Sequence, residues 1–214
     1  MVLGCKSDSF SQDIIGVRIL KKDIFFSDNE LIARSKKGDK QAFGMLFEKY
    51  HERILGYLYR YIGDFQLAED STVKVFLSVY RNISNYTEQG LFLHWLYRIS
   101  TNEAKNQLKA NSRKKEVSID APAKFDARKT LADIMPDERS RPDDIVATKE
   151  LKEIYYKIVG SFDKKYKDVL LLCDVEGLSN VDAAKVLGMN PLTVGTRLSR
   201  ARKILHDIMK KYKI

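Results

Sequence analysis

The sequence predicts an all-α protein made of two small helical domains joined by a flexible linker. Three observations carry that expectation. Apolar residues recur at three- and four-residue steps, and no strand-like alternation persists long enough to build a sheet. Proline is confined to Pro122, Pro136, Pro142 and Pro191, so the N-terminal half runs without that helix breaker. The charge is laid out in blocks. Arg98 to Lys115 holds six Lys/Arg against one Glu, and Pro191 to Ile214 seven against one Asp, while Glu116 to Glu153 between them carries ten acids against seven bases.

Taken in order, residues 1–26 read as a poorly ordered N-terminal extension. Its apolar residues Ile14, Ile15, Val17, Ile19 and Leu20 are interrupted by Arg18 and followed by Lys21, Lys22 and Asp23. That is too broken for a secretory signal core and too short to span a bilayer. Ser27-Asp28-Asn29-Glu30 is a capping box, and Gly38-Asp39 and Gly63-Asp64 are each a helix stop followed by a start. Phe43, Leu46, Phe47, Tyr50, Ile54, Tyr57, Leu58 and Tyr61 trace one apolar stripe, and Leu67, Ser71, Val75, Phe76 and Val79 the next. After a break at Asn82 to Gly90, Phe92, Trp95, Leu96 and Ile99 repeat the spacing. The first domain is therefore expected at 27–113, with about four helices, the linker at 114–142 and the second domain at 143–214.

Within the second domain the chain spells a helix-turn-helix. Ser179 with Asp182 three residues on starts a short helix carrying the small residues Ala183 and Ala184. Gly188 supplies a tight turn, and Asn190-Pro191 is an N-cap followed by proline at the first helical position. In the helix that follows, Val194, Leu198, Ala201, Leu205 and Ile208 make the apolar stripe, while Arg197, Arg200 and Lys203 fall on another side. The first turn of such a helix meets base edges, so Pro191, Leu192, Thr193, Thr196 and Arg197 are placed for a DNA groove, and Arg200 and Lys203 farther along suit phosphates. A solvated charged face is the blander reading of the same residues.

With 214 residues and a formal net charge of +9, the chain is large enough for a proper core and favours a polyanionic partner. The cysteines Cys5 and Cys173 and the histidines His51, His94 and His206 have no metal-ligand spacing. A reducing cytoplasm, no metal and no cofactor are expected. Neither convergent catalytic groups nor a phosphate-cradling glycine loop is visible, which argues against an enzyme.

Two features of the first domain go beyond what a repressor needs. The helix after Gly63 has a second face, Asp70, Val73, Lys74, Leu77 and Tyr80, too apolar for a free surface, which suggests a partner protein; the blander reading is that both faces are buried inside the domain. The segment FLHWLYRISTNEAKNQLKANSRKK interleaves aromatics, amides and bases along one helix, which suits separated nucleic-acid strands. Trp95 within it could equally be a core residue.

Together LAEDSTVKVFLSVY, FLHWLYRISTNEAKNQL and LLCDVEGLSNVDAAKVLGMNPLTVGTRLSRARKIL resemble, in order, the motifs of a bacterial RNA polymerase sigma factor of the extracytoplasmic-function subfamily. The resemblance implies that the first domain is region 2, which docks on polymerase and binds the minus-10 element, and the second is region 4, which binds the minus-35 element. It places Glu69, Asp70, Val73, Lys74, Phe76 and Leu77 against core RNA polymerase. Tyr86, Trp95, Arg98, Asn102, Lys105, Asn106, Lys109 and Arg113 fall on the melted minus-10 strand, beside a base pocket in the loop from Ser84 to Gly90. Pro191, Leu192, Thr193, Thr196, Arg197, Arg200 and Lys203 fall on duplex minus-35 DNA. Val73 stands where the family usually has Gln, Asn106 where Asp is common, Lys109 where Arg is common, Asp182-Ala183 where Glu-Ile is usual and Gly195 where Lys is usual. Members are commonly held by an anti-sigma factor. The competing reading is an autonomous helix-turn-helix regulator with an N-terminal sensor or dimerisation domain.

Overall fold

The computed structural model describes residues 26–87, 91–117, 154–156 and 158–211, with the side chains of 113–117 and 211 left aside. Among these residues there are helices and turns and no strand. The expected extension up to residue 25, the linker from 118 onward and the start of the second domain near 143 lie outside the described residues.

Helix α1, Asp28–Lys36, begins with the capping box read from the sequence. Ser27 Oγ accepts from the Glu30 N–H at 3.3 Å, and Glu30 Oε2 accepts from the Ser27 N–H at 2.8 Å. The Ser27 N–H, and after it the Ser27 hydroxyl that donates to the same oxygen at 2.8 Å, hold the Glu30 carboxyl below its usual range. Helix α2, Lys40–Ile62, starts at Asp39, whose carboxylate takes the N–H groups of Gln41 and Ala42. Helix α3, Phe65–Asn82, starts at Asp64, whose Oδ1 accepts from the Leu67 N–H at 2.9 Å. A single 3₁₀ turn, Ile83–Asn85, ends that run, and α4, Phe92–Val117, follows.

Helix α2 is the centre of the first half, with α1, α3 and α4 packed round it. Leu46, Ile54, Tyr57, Leu58 and Tyr61 are fully buried, as the stripe predicts. From Ile54 to Tyr61 the burial goes all round the helix and includes Leu55, Tyr59 and Arg60. An amphipathic stripe gives way to a surrounded helix where neighbours cover both sides. Here the second cover is the C-terminal half of the chain.

That half contains α5, Lys164–Leu170, continued without a break by a π-helical turn, Leu171–Val175. The short α6, Asn180–Leu187, and the long α7, Pro191–Lys211, follow. Its core is Val159, Val169 to Leu172, Ala183, Ala184, Val186, Val194, Leu198 and Ala201. Helix α6 lies against α4, and the π turn lies against α2, so the two halves touch along a continuous seam.

The end of α2 depends on Gly63, whose φ of 80° is left-handed and whose N–H donates to the Tyr59 carbonyl at 2.8 Å. A side chain there would meet nothing within 4 Å, so only the backbone resists substitution. Gly63→Ala should therefore destabilise the protein by about 1–2 kcal/mol, read as a lower urea midpoint with unchanged slope. An unchanged midpoint would mean that α2 ends without the left-handed residue.

Candidate functional site

The helix-turn-helix is assembled by caps. Ser179 Oγ accepts from the Asp182 N–H at 3.1 Å and donates to the Asp182 carboxylate at 2.6 Å, which lowers the Asp182 pKa. Gly188, with φ 64°, turns the chain, and the Met189 N–H reaches back to the Ala184 carbonyl at 3.0 Å. Asn190 Oδ1 then accepts from the Leu192 N–H at 2.8 Å and starts α7. Ala183 and Ala184, both buried, let the two helices approach.

Because Val194, Leu198, Ala201 and Leu205 are buried, the opposite side of α7 is fixed in solvent. Pro191, Leu192, Thr196, Arg200 and Lys203 are exposed there, and Leu192 is 81% exposed, an apolar tip at the first turn with nothing covering it. Thr193 and Arg197 are half-buried, and Arg197 Nη1 lies 3.7 Å from Met189 Sδ. A shallow hollow of about 500 Å³ runs between Asn180, Leu192, Gly195, Thr196 and Ser199. At Gly195 a Cβ would sit 3.4 Å from the Asn180 amide nitrogen, so the missing side chain keeps that hollow open. Arg202 is different from its basic neighbours: its Nε lies 3.2 Å from both oxygens of Asp174, tying α7 to the π turn.

On α4, Trp95, Arg98, Asn102, Asn106 and Lys109 recur at three- and four-residue spacing along one face. Asn102, Asn106 and Lys109 are exposed, while Arg98 and Trp95 are half-buried. Trp95 packs on Tyr86, with ring centroids 4.9 Å apart, and on Phe92 at 5.8 Å. Tyr86, expected among the DNA residues, is itself buried, with its carbonyl accepting from Lys36 Nζ; it props the indole rather than presenting its own ring. Lys105 leaves the row and points at Asp168 of the second half, 2.7 Å away. Arg113 is in α4 but beyond the described side chains, as are residues 88–90 of the expected base pocket.

Along α3 the second face is real. Val73 is 55% exposed, Leu77 48% and Tyr80 44%, with Asp70 and Lys74 also in solvent and Glu69 half-buried. Lys74 reaches Glu103 at 3.6 Å and Gln107 at 3.4 Å. Phe76, grouped with this face by the resemblance, is turned inward: it is 4% exposed and meets Phe47 edge-on at 4.8 Å. Its position belongs to the core stripe with Val75 and Val79.

The seam between the halves is polar, and no sequence motif announces it. Glu176, just after the π turn, accepts from Arg60 and Tyr97, and Arg53 Nε lies 3.3 Å from the same carboxylate. Asp168 accepts from Tyr61 at 2.7 Å as well as from Lys105. Burial and then the neighbouring carboxylates push the Tyr61 and Tyr97 hydroxyls well above their usual range, so both remain donors. His94 Nδ1 and Asp182 Oδ1 face each other across the seam at 3.9 Å. Burial also raises the Cys173 thiol. Among the described residues, no group of His, Cys, Asp and Glu could hold a metal ion.

A short capped helix, a tight turn and a longer helix with an exposed basic face define a DNA-binding protein of the helix-turn-helix class. Family comparison makes this specific. Residues 46–114 match the family model for Sigma-70 region 2, and residues 153–205 that for Sigma-70 region 4. The chain is 33% identical over 181 residues to the RNA polymerase sigma-H factor of Pseudomonas aeruginosa, covering 83% of this chain and 91% of that one. It is 29% identical over 186 residues to the ECF RNA polymerase sigma-E factor of Escherichia coli K12, covering 85% and 93%. Two solved structures share the fold. CnrH, in complex with the cytosolic domain of CnrY, matches with a TM-score of 0.60 and 22% identity, covering 86% and 97% of the two chains. The Bartonella quintana sigma factor RpoE, in complex with the anti-sigma factor NepR, matches with a TM-score of 0.62 and 18% identity, covering 78% and 96%. The chain belongs to the RNA polymerase sigma factors of the extracytoplasmic-function type, a promoter-directing family that is not a class of enzymes. Among the described residues no helix is long and apolar enough to cross a membrane.

The Tyr86, Phe92 and Trp95 cluster separates support from presentation. Phe92, 2% exposed, should cost about 3–5 kcal/mol when replaced by Ala, as buried aromatics do. Trp95→Ala should cost clearly less and leave the circular dichroism spectrum native, because part of the indole is already in water. Equal losses in a denaturation series would make Trp95 a core residue.

Proposed function

We propose that three faces of this chain divide the work of transcription initiation. The apolar face of α3, Val73 and Leu77 with Asp70 and Lys74, docks on core RNA polymerase. The row on α4, Trp95, Arg98, Asn102, Asn106 and Lys109, holds the separated minus-10 strand. The exposed side of α7, Leu192, Thr196, Arg197, Arg200 and Lys203, binds the minus-35 duplex. The working units are residues 27–113 and 143–214, and the chain acts in the cytoplasm, where it recognises and opens DNA without making or breaking a bond.

The observation that carries this reading is the second DNA-suited face. An autonomous helix-turn-helix regulator uses α7 and has no need of amides and cations set beside a partly exposed indole on another helix. Exposed aromatic faces bind unstacked bases whatever the sequence, whereas α7 is shaped for a groove. Binding of an anti-sigma factor, as in the solved complexes of the fold relatives, is part of the same proposal.

Polymerase docking is tested by a pull-down with core polymerase. The Val73→Ser/Leu77→Ser pair should lose most of its binding while melting at an unchanged temperature, since both side chains are already exposed. Retained binding would move the docking surface elsewhere.

The two kinds of contact on α7 separate by salt. Arg197→Ala should cost about 1–3 kcal/mol and relax preference at one position of the upstream element, as the loss of a base contact does. Arg200→Ala and Lys203→Ala should weaken holoenzyme binding to all sequences and lower the log–log salt slope by about one unit each. Slopes that stay put would return both cations to the solvated surface.

A further inference from the structure

The cations and phenols of the first half that face the seam form one surface. Arg53, Arg60 and Tyr61 recur at helical spacing on α2, and Tyr97 and Lys105 lie two turns apart on the side of α4 that meets it. All five direct N–H or O–H donors at just two carboxylates, Glu176 and Asp168, both supplied by the second half. The side chains of Glu176 and Asp168 are only 4% and 5% exposed. Charges so far from water persist only while partnered. The π turn brings one of them into place: the Glu176 N–H donates to the Leu171 carbonyl at 3.0 Å, five residues back, a wider turn than an α-helix makes.

Closed in this way, the molecule is too short for its proposed task. Elements centred at minus-35 and minus-10 lie roughly 25 base pairs apart, about 85 Å at 3.4 Å per step. The longest helix among the described residues, α4, has 26 residues, about 39 Å at 1.5 Å each, and α6 of the helix-turn-helix is packed against it. Binding both elements requires the halves to part, and parting uncovers the five donors.

We propose that Arg53, Arg60, Tyr61, Tyr97 and Lys105 form a binding surface for the phosphate backbone of promoter DNA, and that Glu176 and Asp168 occupy it and hold the free protein shut. The inference rests on the initiation-factor reading. Donor geometry supports it, because guanidinium, ammonium and phenol groups converging on carboxylate oxygens also suit phosphate oxygens. Continuity supports it too: Lys105 comes from the same helix as the minus-10 row and extends that row onto α2.

The test uses the full chain and a labelled 30-base-pair duplex of mixed sequence. Glu176→Gln/Asp168→Asn should increase the radius of gyration in small-angle scattering. It should also bind the duplex about tenfold tighter at low salt, with a log–log salt slope steeper by about two to three units for three released cations. Adding Arg53→Gln, Arg60→Gln and Lys105→Gln should bring affinity and slope back. An unchanged radius in a folded double variant overturns the latch, and an opened variant with unchanged DNA affinity overturns the phosphate surface. A second variant guards against misfolding: His94→Cys/Asp182→Cys, with Cys5 and Cys173 replaced by Ser, closed by a cleavable bis-thiol cross-linker. Cross-linked protein should fail to support promoter transcription with core polymerase and recover when the linker is cleaved. Full activity while cross-linked overturns the proposal, whereas inactivity of wild-type protein in the same assay contradicts the initiation-factor reading instead.

Discussion

The last two turns of α2 are the constraint on which the rest of the structure depends. Ile54, Tyr57, Leu58 and Tyr61 are fully buried there, and Tyr57 and Thr101 share a buried hydrogen bond of 2.7 Å that ties α2 to α4. The same turns send Arg60 and the Tyr61 hydroxyl outward into the second half. One helix segment thereby fixes three things at once: the angle of the α4 row, the exposure of the α3 face and the closure of the seam. Buried tyrosines suit that role because each ring fills volume while its hydroxyl satisfies a specific partner.

The electrostatics follow from sorting the charges by partner. The net charge of +9 says only that a polyanion is favoured, and individual cations differ in what they do. Arg202 holds α7 to the π turn, and Arg53, Arg60 and Lys105 meet the carboxylates of the seam. Arg200, Lys203 and Lys109 stand in solvent on the two faces read as DNA surfaces. A basic helix therefore mixes internal braces with external contacts, and the presence of a carboxylate partner within the chain distinguishes them.

Much of the fold was legible in the sequence because its signals are local. Ser27 with Glu30, Asp39, Gly63 with Asp64, Ser179 with Asp182, and Gly188 before Asn190-Pro191 each act within a few residues of themselves, and each cap or turn is where the pattern puts it. The exposed side of α7 was legible for the same reason, since its buried stripe fixes the remainder. What was not legible is pairing across distance. Glu176 with Arg60 and Asp168 with Tyr61 are separated by more than a hundred residues, and periodicity reports that a face is buried without saying by what. Phe76 lies one step round α3 on the buried side, where a face boundary falls between adjacent residues, and Lys105 turns from the α4 row towards Asp168, a partner that no local pattern reveals. Tyr86 was read as a presented ring because nothing local reveals that Trp95 covers it.

The central claim is that one chain contacts two separated stretches of promoter and opens only the downstream one. Footprinting of a reconstituted holoenzyme on a promoter-bearing fragment, with permanganate to mark unpaired thymines, tests it most directly. The account predicts two protected segments about two helical turns apart, with reactive thymines confined to the downstream segment and a requirement for core polymerase. A single continuous footprint made by the protein alone, with no reactive thymine, would contradict it and leave a simple helix-turn-helix regulator.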